Sequence, residues 1–267
     1  MIRVPTVKLK KLILPLIASS FLLACTTTND VSGRKQVMAF GPEDDIIMGT
    51  QAMEEIKKTQ DVVTSGPYAE RVSRLGLGIA AKSDRPDFPW EFIAIKSDQL
   101  NAFALPGGQS AVYTKMMDTF AKDPQLAAVM GHEIAHAVLR HGAEQVSRAQ
   151  YQSGVIAVVG ILVGASTDDG DKAQSAMELA AMATQLGAAL PHSRKMELEA
   201  DHFGTIYMAR AGYDPRNAPA LWRKMAELTA GMEKPPIWFS THPSDEQRIA
   251  QLEANMDMYM AIYNENK

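Results

Sequence analysis

Two histidines and a glutamate stand at a spacing suited to metal chemistry, in the segment HEIAH at residues 132–136. On an α-helix, positions i and i+4 lie one turn apart on the same face, so His132 and His136 can both reach one metal ion. Glu133 is offset from that pair and can instead reach a water beside the metal and act as its general base. The segment therefore predicts metal-assisted hydrolysis, with a pair of structural histidines on a helix surface as the alternative.

A third ligand is expected from the acidic segment ELEAD at residues 197–201, because catalytic zinc keeps three protein ligands and one open position. Glu197 and Asp201 are four residues apart and share one face of a predicted helix, whereas Glu199 points elsewhere. We assign Glu197 as the third zinc ligand and Asp201 as the partner that bonds a ligating histidine. Taken alone, the segment would also fit a solvated acidic helix face.

His242 lies in a proline-containing loop, and its position allows two roles. It can stabilise the oxyanion, or it can bind the zinc as a fourth ligand and give a closed, inactive resting site. Arg248, one turn into the last helix, is expected either to pair with Asp201 or to be solvated. His141 and His202 fall off the face that carries the ligands and are predicted to be structural.

The elements that must position these side chains are helices, preceded by a small sheet. A helix that begins at Asp123-Pro124 is predicted to carry residues 132–136 and to run to about residue 142. A second helix, from Ser193 to Ala211, carries the acidic segment. Residues 101–105 and 110–114 flank a Pro-Gly-Gly turn and predict a β-hairpin. The predicted fold is α+β and mainly helical, with a small antiparallel sheet, in a single domain over residues 41–267.

Composition excludes several classes of protein. The 267 residues are 46% hydrophobic, carry a formal net charge of −4 and include one cysteine. That charge excludes a strongly basic nucleic-acid binder, and a single cysteine excludes a scaffold held by internal disulfides. The apolar run at 154–165 is too short to span a bilayer and is predicted to be buried core or an interfacial contact.

The N-terminal 24 residues have the pattern of an export signal, in which basic residues without acidic ones precede a short apolar run. The sequence LLAC at 22–25 resembles the lipobox of bacterial lipoproteins, which implies that Cys25 is lipidated and begins the mature chain. Residues 25–40 would then be a lipidated tether that anchors the protein at the periplasmic face of the outer membrane. A buried core cysteine is the alternative.

The pattern as a whole resembles the metallopeptidase family of the CAAX prenyl endopeptidases and the heat-shock protease HtpX. Within that family it most resembles the periplasmic lipoprotein members, which are BepA-like or LoiP-like. The matching segments cover about residues 31–253 and are SGRKQ at 32–36, NAFALPGG at 101–108, HExxH at 132–136, Ser193-Arg194, ExxAD at 197–201, His242-Pro243 and Arg248-Ile249.

The resemblance implies a zincin-like core of the gluzincin type, with one Zn²⁺ per chain and Glu133 as the general base of an endopeptidase. It also implies that an edge strand formed by Asn101, Ala102, Phe103 and Ala104 pairs with an extended substrate main chain. Such recognition suits cleavage of misfolded or envelope proteins, and outer-membrane assembly machinery is a candidate partner. The alternative function is a non-proteolytic chaperone or assembly factor that keeps a structural metal site.

Overall fold

The computed structural model describes residues 26–153, 193–233, 236–242 and 246–267. Several features predicted from sequence lie outside these residues: the export signal at 1–24, Cys25, the apolar run at 154–165 and Pro243 of the His242-Pro243 pair.

The described strands form two small sheets. Strands β1 (Thr26–Thr28) and β2 (Lys35–Val37) pair in antiparallel orientation. The other sheet contains β3 (Val62–Val63), β4 (Glu91–Ile95), β5 (Ala102–Ala104) and β6 (Gln109–Tyr113). Its order is β3-β4-β6-β5, the two outer pairs are antiparallel, and β4 runs parallel to β6. The predicted hairpin is therefore present as β5 and β6, with β5 at one edge.

Helices make up most of the described chain, which confirms the predicted α+β, mainly helical class. Proline stands at the first or second position of three of them, where its missing N–H costs nothing. None of the described helices is long and apolar enough to cross a membrane. The helices are α1 (Pro42–Thr59), α2 (Pro67–Ala80), α3 (Thr114–Thr119), α4 (Asp123–Val138), α5 (His141–Ser153), α6 (Arg194–Arg210), α7 (Asn217–Thr229), α8 (Ile237–Thr241), α9 (Glu246–Ala254) and α10 (Met256–Asn266).

Helix α4 is the centre of the molecule, and every residue from 126 to 138 is buried. It packs against α2, α6, α7 and β5, as expected for a helix that is apolar on all sides. Helices α4 and α6 meet backbone to backbone, because a Cβ placed on Gly204 would lie 2.6 Å from the carbonyl oxygen of Gly131. This close approach brings the acidic segment of α6 against the histidines of α4.

Helix α4 ends at Val138, and a sharp turn follows, so the helix is shorter than the sequence predicted. Arg140 adopts a positive φ of 59°, which reverses the chain before α5 begins at His141. The Arg140 guanidinium donates to Asp45 at 2.5 and 3.1 Å and to the carbonyl oxygen of Phe40 at 2.9 Å. These contacts hold a conformation that a residue with a Cβ rarely adopts.

The described part of the segment predicted as a polar tether, residues 26–40, packs against the body through four buried side chains. The Asn29 and Gln36 side chains are buried and both donate to the carbonyl oxygen of Leu139, at 3.1 and 2.7 Å. Met38 and Phe40 are also buried. The polar side chains of Asn29 and Gln36 cap the end of α4, which explains why a hydrophilic sequence is fixed here.

Candidate metal centre

Four side chains from three parts of the chain converge beside α4. His132 and His136 lie one turn apart on α4, Glu197 lies in the first turn of α6, and His242 follows α8. All four are buried, and one ligand atom from each lies within 4.8 Å of all the others. The structure thus brings together the three ligands that the sequence predicts and places His242 with them.

The distances between these atoms fit a single tetrahedral ion. Four ligands at about 2.1 Å from such an ion lie about 3.4 Å from one another. Nε2 of His136 is 3.0 Å from Nε2 of His132, which is 3.2 Å from Nδ1 of His242. The Glu197 carboxylate lies 3.2 to 3.4 Å from all three nitrogens. Three imidazole nitrogens and a carboxylate at this spacing are a donor set that suits zinc.

Arg248 neutralises the two carboxylates that approach the histidines. Its guanidinium lies 2.7 Å from Glu197 and donates to Asp201 at 2.6 and 2.7 Å. Burial alone would raise the pKa of both carboxyls, but Arg248 and the neighbouring histidines outweigh it and lower both pKa values. Both groups are therefore anions at neutral pH. Glu197 faces the candidate metal position, and Asp201 lies one helical turn further along α6.

Asp201 holds His132 by its second nitrogen. The Asp201 carboxylate is 3.0 Å from Nδ1 of His132 and accepts a hydrogen bond from the Trp222 indole at 3.0 Å. Burial would lower the pKa of His132, but the Asp201 and Glu197 carboxylates outweigh that effect and raise the pKa to about 9. A metal therefore competes with a proton at this imidazole.

His141, which was expected to be structural and off the ligand face, contacts the predicted ligand His136 from behind. The turn at Arg140 places Nδ1 of His141 2.9 Å from Nδ1 of His136, on the side away from the metal position. Nε2 of His141 lies 3.2 Å from Glu199, a residue that was expected to point away. Burial lowers the pKa of His141, which is consistent with a neutral imidazole.

Glu133 lies beside the cluster and is engaged by α8. The Trp238 indole donates to Oε1 of Glu133 at 2.9 Å, and Nε2 of His242 is 3.6 Å from the same oxygen. Trp238 also stacks on Trp222, with ring centroids 5.0 Å apart and planes 3° from parallel. Trp238 of α8 and His242 therefore lie against Glu133 and the candidate metal position together.

The predicted substrate residues lie on the outer edge of the sheet. Ala102, Phe103 and Ala104 form β5, which pairs through one side with β6 and packs against α4. Asn101 precedes the strand, and its carbonyl oxygen accepts from the amide of Tyr113 at 3.0 Å. Within the described part of the chain, the other side of β5 has no strand partner.

Some residues at the centre were not identified from sequence. The Trp222 and Trp238 contacts depend on loops that bring distant segments together, and a lone tryptophan gives no signal for them. His202 has no place in the cluster, and its Nδ1 lies 2.8 Å from the Tyr259 hydroxyl.

A helix pair that presents two histidines and a glutamate around one metal position defines the class of zincin-like metallopeptidases. The sequence pattern of peptidase family M48 matches residues 68–256, so the chain belongs to this family, as its motifs predicted.

Curated relatives agree with that assignment. The mitochondrial metalloendopeptidase OMA1 of Schizosaccharomyces pombe is 37% identical over 187 residues, which are 70% of this chain and 52% of that protein. The putative beta-barrel assembly-enhancing protease of Vibrio cholerae is 30% identical over 211 residues, 78% of this chain and 43% of that protein. The beta-barrel assembly-enhancing protease of Escherichia coli K12 is 27% identical over 206 residues, 76% of this chain and 42% of that protein. The chain therefore spans about half the length of these relatives or less.

Proposed function

We propose that this protein is a zinc-dependent endopeptidase that cleaves unfolded or misfolded polypeptides in the cell envelope. One observation carries the proposal: His132, His136 and Glu197 present their donor atoms at tetrahedral spacing with Glu133 beside them. The family and its metalloendopeptidase relatives support it.

The residues of the site have distinct roles in this proposal. Bound zinc supplies a Lewis acid that polarises the scissile carbonyl and makes water more acidic. Glu133 accepts the proton of the attacking water and passes it to the leaving amine. Asp201 keeps His132 in the orientation and tautomer that leave Nε2 free for the metal.

We infer that His242 closes the site in this conformation and that the resting enzyme is latent. Nδ1 of His242 takes the fourth position of the donor set, where a substrate or water must bind. Trp238 holds Glu133 at 2.9 Å in the same arrangement. Both residues belong to one short segment, so displacement of 236–242 would free the metal position and the base together. His242 could then face the oxyanion.

Strand β5 is proposed to bind the substrate main chain. Its outer edge, which has no strand partner among the described residues, offers backbone N–H and C=O groups to an extended peptide, and such pairing requires little of the substrate side chains. Unfolded chains present extended segments and folded proteins rarely do, so recognition of this kind selects misfolded proteins.

The proposed location is the periplasmic face of the outer membrane, through a lipid on Cys25. The lipobox-like sequence at 22–25 supports it, and two of the relatives are named for beta-barrel assembly, which favours outer-membrane assembly machinery as a partner. Labelling with radioactive palmitate tests the anchor. Label in the wild type but not in Cys25→Ala supports it, whereas an unlabelled wild type excludes it.

Cleavage of unfolded casein by the full chain tests the enzymatic proposal. We expect zinc-dependent cleavage in the wild type and loss of at least about 1,000-fold in Glu133→Gln, because removing the general base leaves the water unactivated. Glu227→Gln changes an exposed glutamate on α7 and is the matched control, expected to cleave as the wild type does. Equal cleavage by Glu133→Gln would refute the mechanism.

A protein that prevents casein aggregation without cleaving it would support the chaperone alternative, which the closed site favours.

A further inference from the structure

A chain of hydrogen bonds leads away from the candidate metal ligand His136 to the N-terminal hairpin. Nδ1 of His136 is 2.9 Å from Nδ1 of His141, whose Nε2 is 3.2 Å from Oε2 of Glu199. Nε of Arg34 donates to the same Glu199 oxygen at 2.5 Å. His136 and His141 are buried, and Glu199 and Arg34 are largely shielded from solvent.

Only one arrangement of protons satisfies this chain when a metal is bound. A metal on Nε2 of His136 leaves the proton of the neutral ring on Nδ1, which must donate to Nδ1 of His141. His141 then carries its own proton on Nε2 and donates it to Glu199. Arg34 supplies the positive charge that keeps Glu199 an acceptor. Both ring nitrogens of His136 and of His141 have a partner in this state.

The two histidine ligands, His132 and His136, are thus oriented by different sets of hydrogen-bond partners. His132 contacts the carboxylate of Asp201 directly, and Arg248 binds that carboxylate in turn. His136 reaches its carboxylate through a second imidazole, and the arginine comes from residue 34. Both carboxylates lie on α6, two residues apart.

From this geometry we propose that His141 is a positioning residue for the metal ligand His136, acting through Glu199 and Arg34. The β1–β2 hairpin, which contains Arg34, therefore contributes to the geometry of the metal site, although Arg34 lies far from the metal ligands in the sequence. The proposal rests on the assignment of His136 as a ligand under the proposed function. It assigns Glu199 the role toward His136 that Asp201 has toward His132.

Zinc affinity of the metal-free full chain, measured by competition with a chromophoric chelator, tests the proposal. Partners that orient a ligating histidine typically contribute about 10- to 100-fold to metal affinity. We expect a loss of that size in Glu199→Gln, which keeps the shape of the side chain but removes its charge. His141→Phe is expected to lose at least as much. The absorption spectrum of bound Co²⁺ should shift in both variants, because it reports the geometry of the ligands.

Glu144→Gln is the matched control, because Glu144 binds the same Arg34 at 2.6 Å but is not one of the links between His136 and Glu199. Its zinc affinity should stay within about threefold of the wild-type value, well below the effect of an orienting partner. In the double variant His141→Phe/Glu199→Gln, the second change should add almost nothing, since Glu199 acts only through His141.

Wild-type affinity and an unchanged Co²⁺ spectrum in folded Glu199→Gln would overturn the proposal, and this variant decides the matter if His141→Phe fails to fold. Equal losses of zinc affinity in Glu199→Gln and Glu144→Gln would also overturn it. Such a result would show that the contacts of Arg34 support the fold in general and do not act on His136 in particular. Failure of the wild type to bind zinc would instead refute the proposed function.

Discussion

At the scale of residues, the position of His242 matters most for whether the metal centre has an open coordination position. Its Nδ1 lies 3.2 Å from both Nε2 of His132 and Oε1 of Glu197, within the donor set and not at its margin. A fourth protein ligand leaves no open position, which catalysis requires. If His242 is that fourth ligand, as we propose, the same side chain strengthens metal binding and opposes turnover.

Replacement of His242 separates its two possible roles. If His242 closes the site, His242→Ala should bind zinc more weakly but cleave casein faster at saturating zinc. Each 1.4 kcal/mol of closing free energy that is removed raises the open fraction about tenfold. The measurement is kcat with added zinc, and His202→Ala, which alters a histidine bonded to Tyr259 outside the cluster, is the control. A fall in kcat of about 100-fold would identify oxyanion stabilisation as the main role of His242.

The sequence predicts the residues whose spacing along one helix is itself the signal. His132, Glu133 and His136 follow from helical periodicity, and Glu197 follows from the need for a third ligand. His141 does not, because an uninterrupted helix would turn it away from His136. The turn at Arg140 brings it back, and that turn depends on Asp45, which lies 95 residues away in the sequence. No local pattern reports such a contact.

At the scale of elements, the crossing of α4 and α6 sets the distance between the histidines and Glu197. The two backbones touch at Gly131 and Gly204, where a Cβ on either glycine would lie 2.6 Å from the carbonyl oxygen of the other. A side chain cannot fit without moving one helix. The pairing of these glycines could not be inferred from sequence, since neither stands in a turn.

A methyl group at this crossing should therefore damage the site. Gly204→Ala is expected to lower the free energy of unfolding by about 1–3 kcal/mol through overpacking, and to weaken zinc binding as α6 moves away. Urea unfolding and chelator competition measure the two effects. The control is Gly78→Ala, at an exposed helical position with open space around the new Cβ. It should be neutral or stabilise by about 0.5–1 kcal/mol. Equal stability of the two variants would contradict the tight crossing.

The edge strand allows a test of substrate pairing that leaves the sheet intact. In the register of β5 and β6, Phe103 faces Ala111 at a hydrogen-bonded position, so the backbone N–H groups of Ala102 and Ala104 point outward. Ala104→Pro removes one outward donor and should lower kcat/KM for casein roughly fivefold, the effect of one lost hydrogen bond. Phe103→Pro breaks the pairing with β6 and should instead lower stability. Unchanged kcat/KM in Ala104→Pro would argue against pairing at this edge.

At the scale of the whole molecule, the N-terminal segment binds the end of α4 and the N-terminal turns of α5 and α6 through its polar side chains. Arg34 pairs with Glu144 on α5 and with Glu199 on α6, while Asn29 and Gln36 cap the end of α4. The sequence predicted a tether here because its residues are polar. A hydrophilic composition does not distinguish a solvated segment from one whose polar groups are all paired inside the fold.

The stability that the ion pairs of Glu144 contribute should depend on pH in a defined direction. Burial would raise the pKa of Glu144, but hydrogen bonds and charge from Arg34 and Arg148 outweigh it and lower the pKa below its ordinary value of 4.5. The unfolded chain therefore takes up this proton at a higher pH than the folded chain, so the stabilisation is present above about pH 4.5 and is lost as the pH falls further.

Glu144→Gln should accordingly be less stable than the wild type by about 3 kcal/mol at pH 7, as for a broken buried ion pair. The difference should shrink as the pH falls from 5 to 3. Urea unfolding at a series of pH values gives the result. A difference that stays constant over this range would show that the charge of Glu144 contributes nothing.

The central claim is that one zinc ion binds where α4 and α6 meet, and anomalous diffraction at the zinc edge from crystals of the zinc-loaded protein tests it most directly. We expect one peak per chain, about 2.0–2.2 Å from Nε2 of His132, Nε2 of His136 and a carboxylate oxygen of Glu197, with Nδ1 of His242 in the fourth position. Zinc bound elsewhere, with no peak between these side chains in protein that cleaves casein, would contradict it.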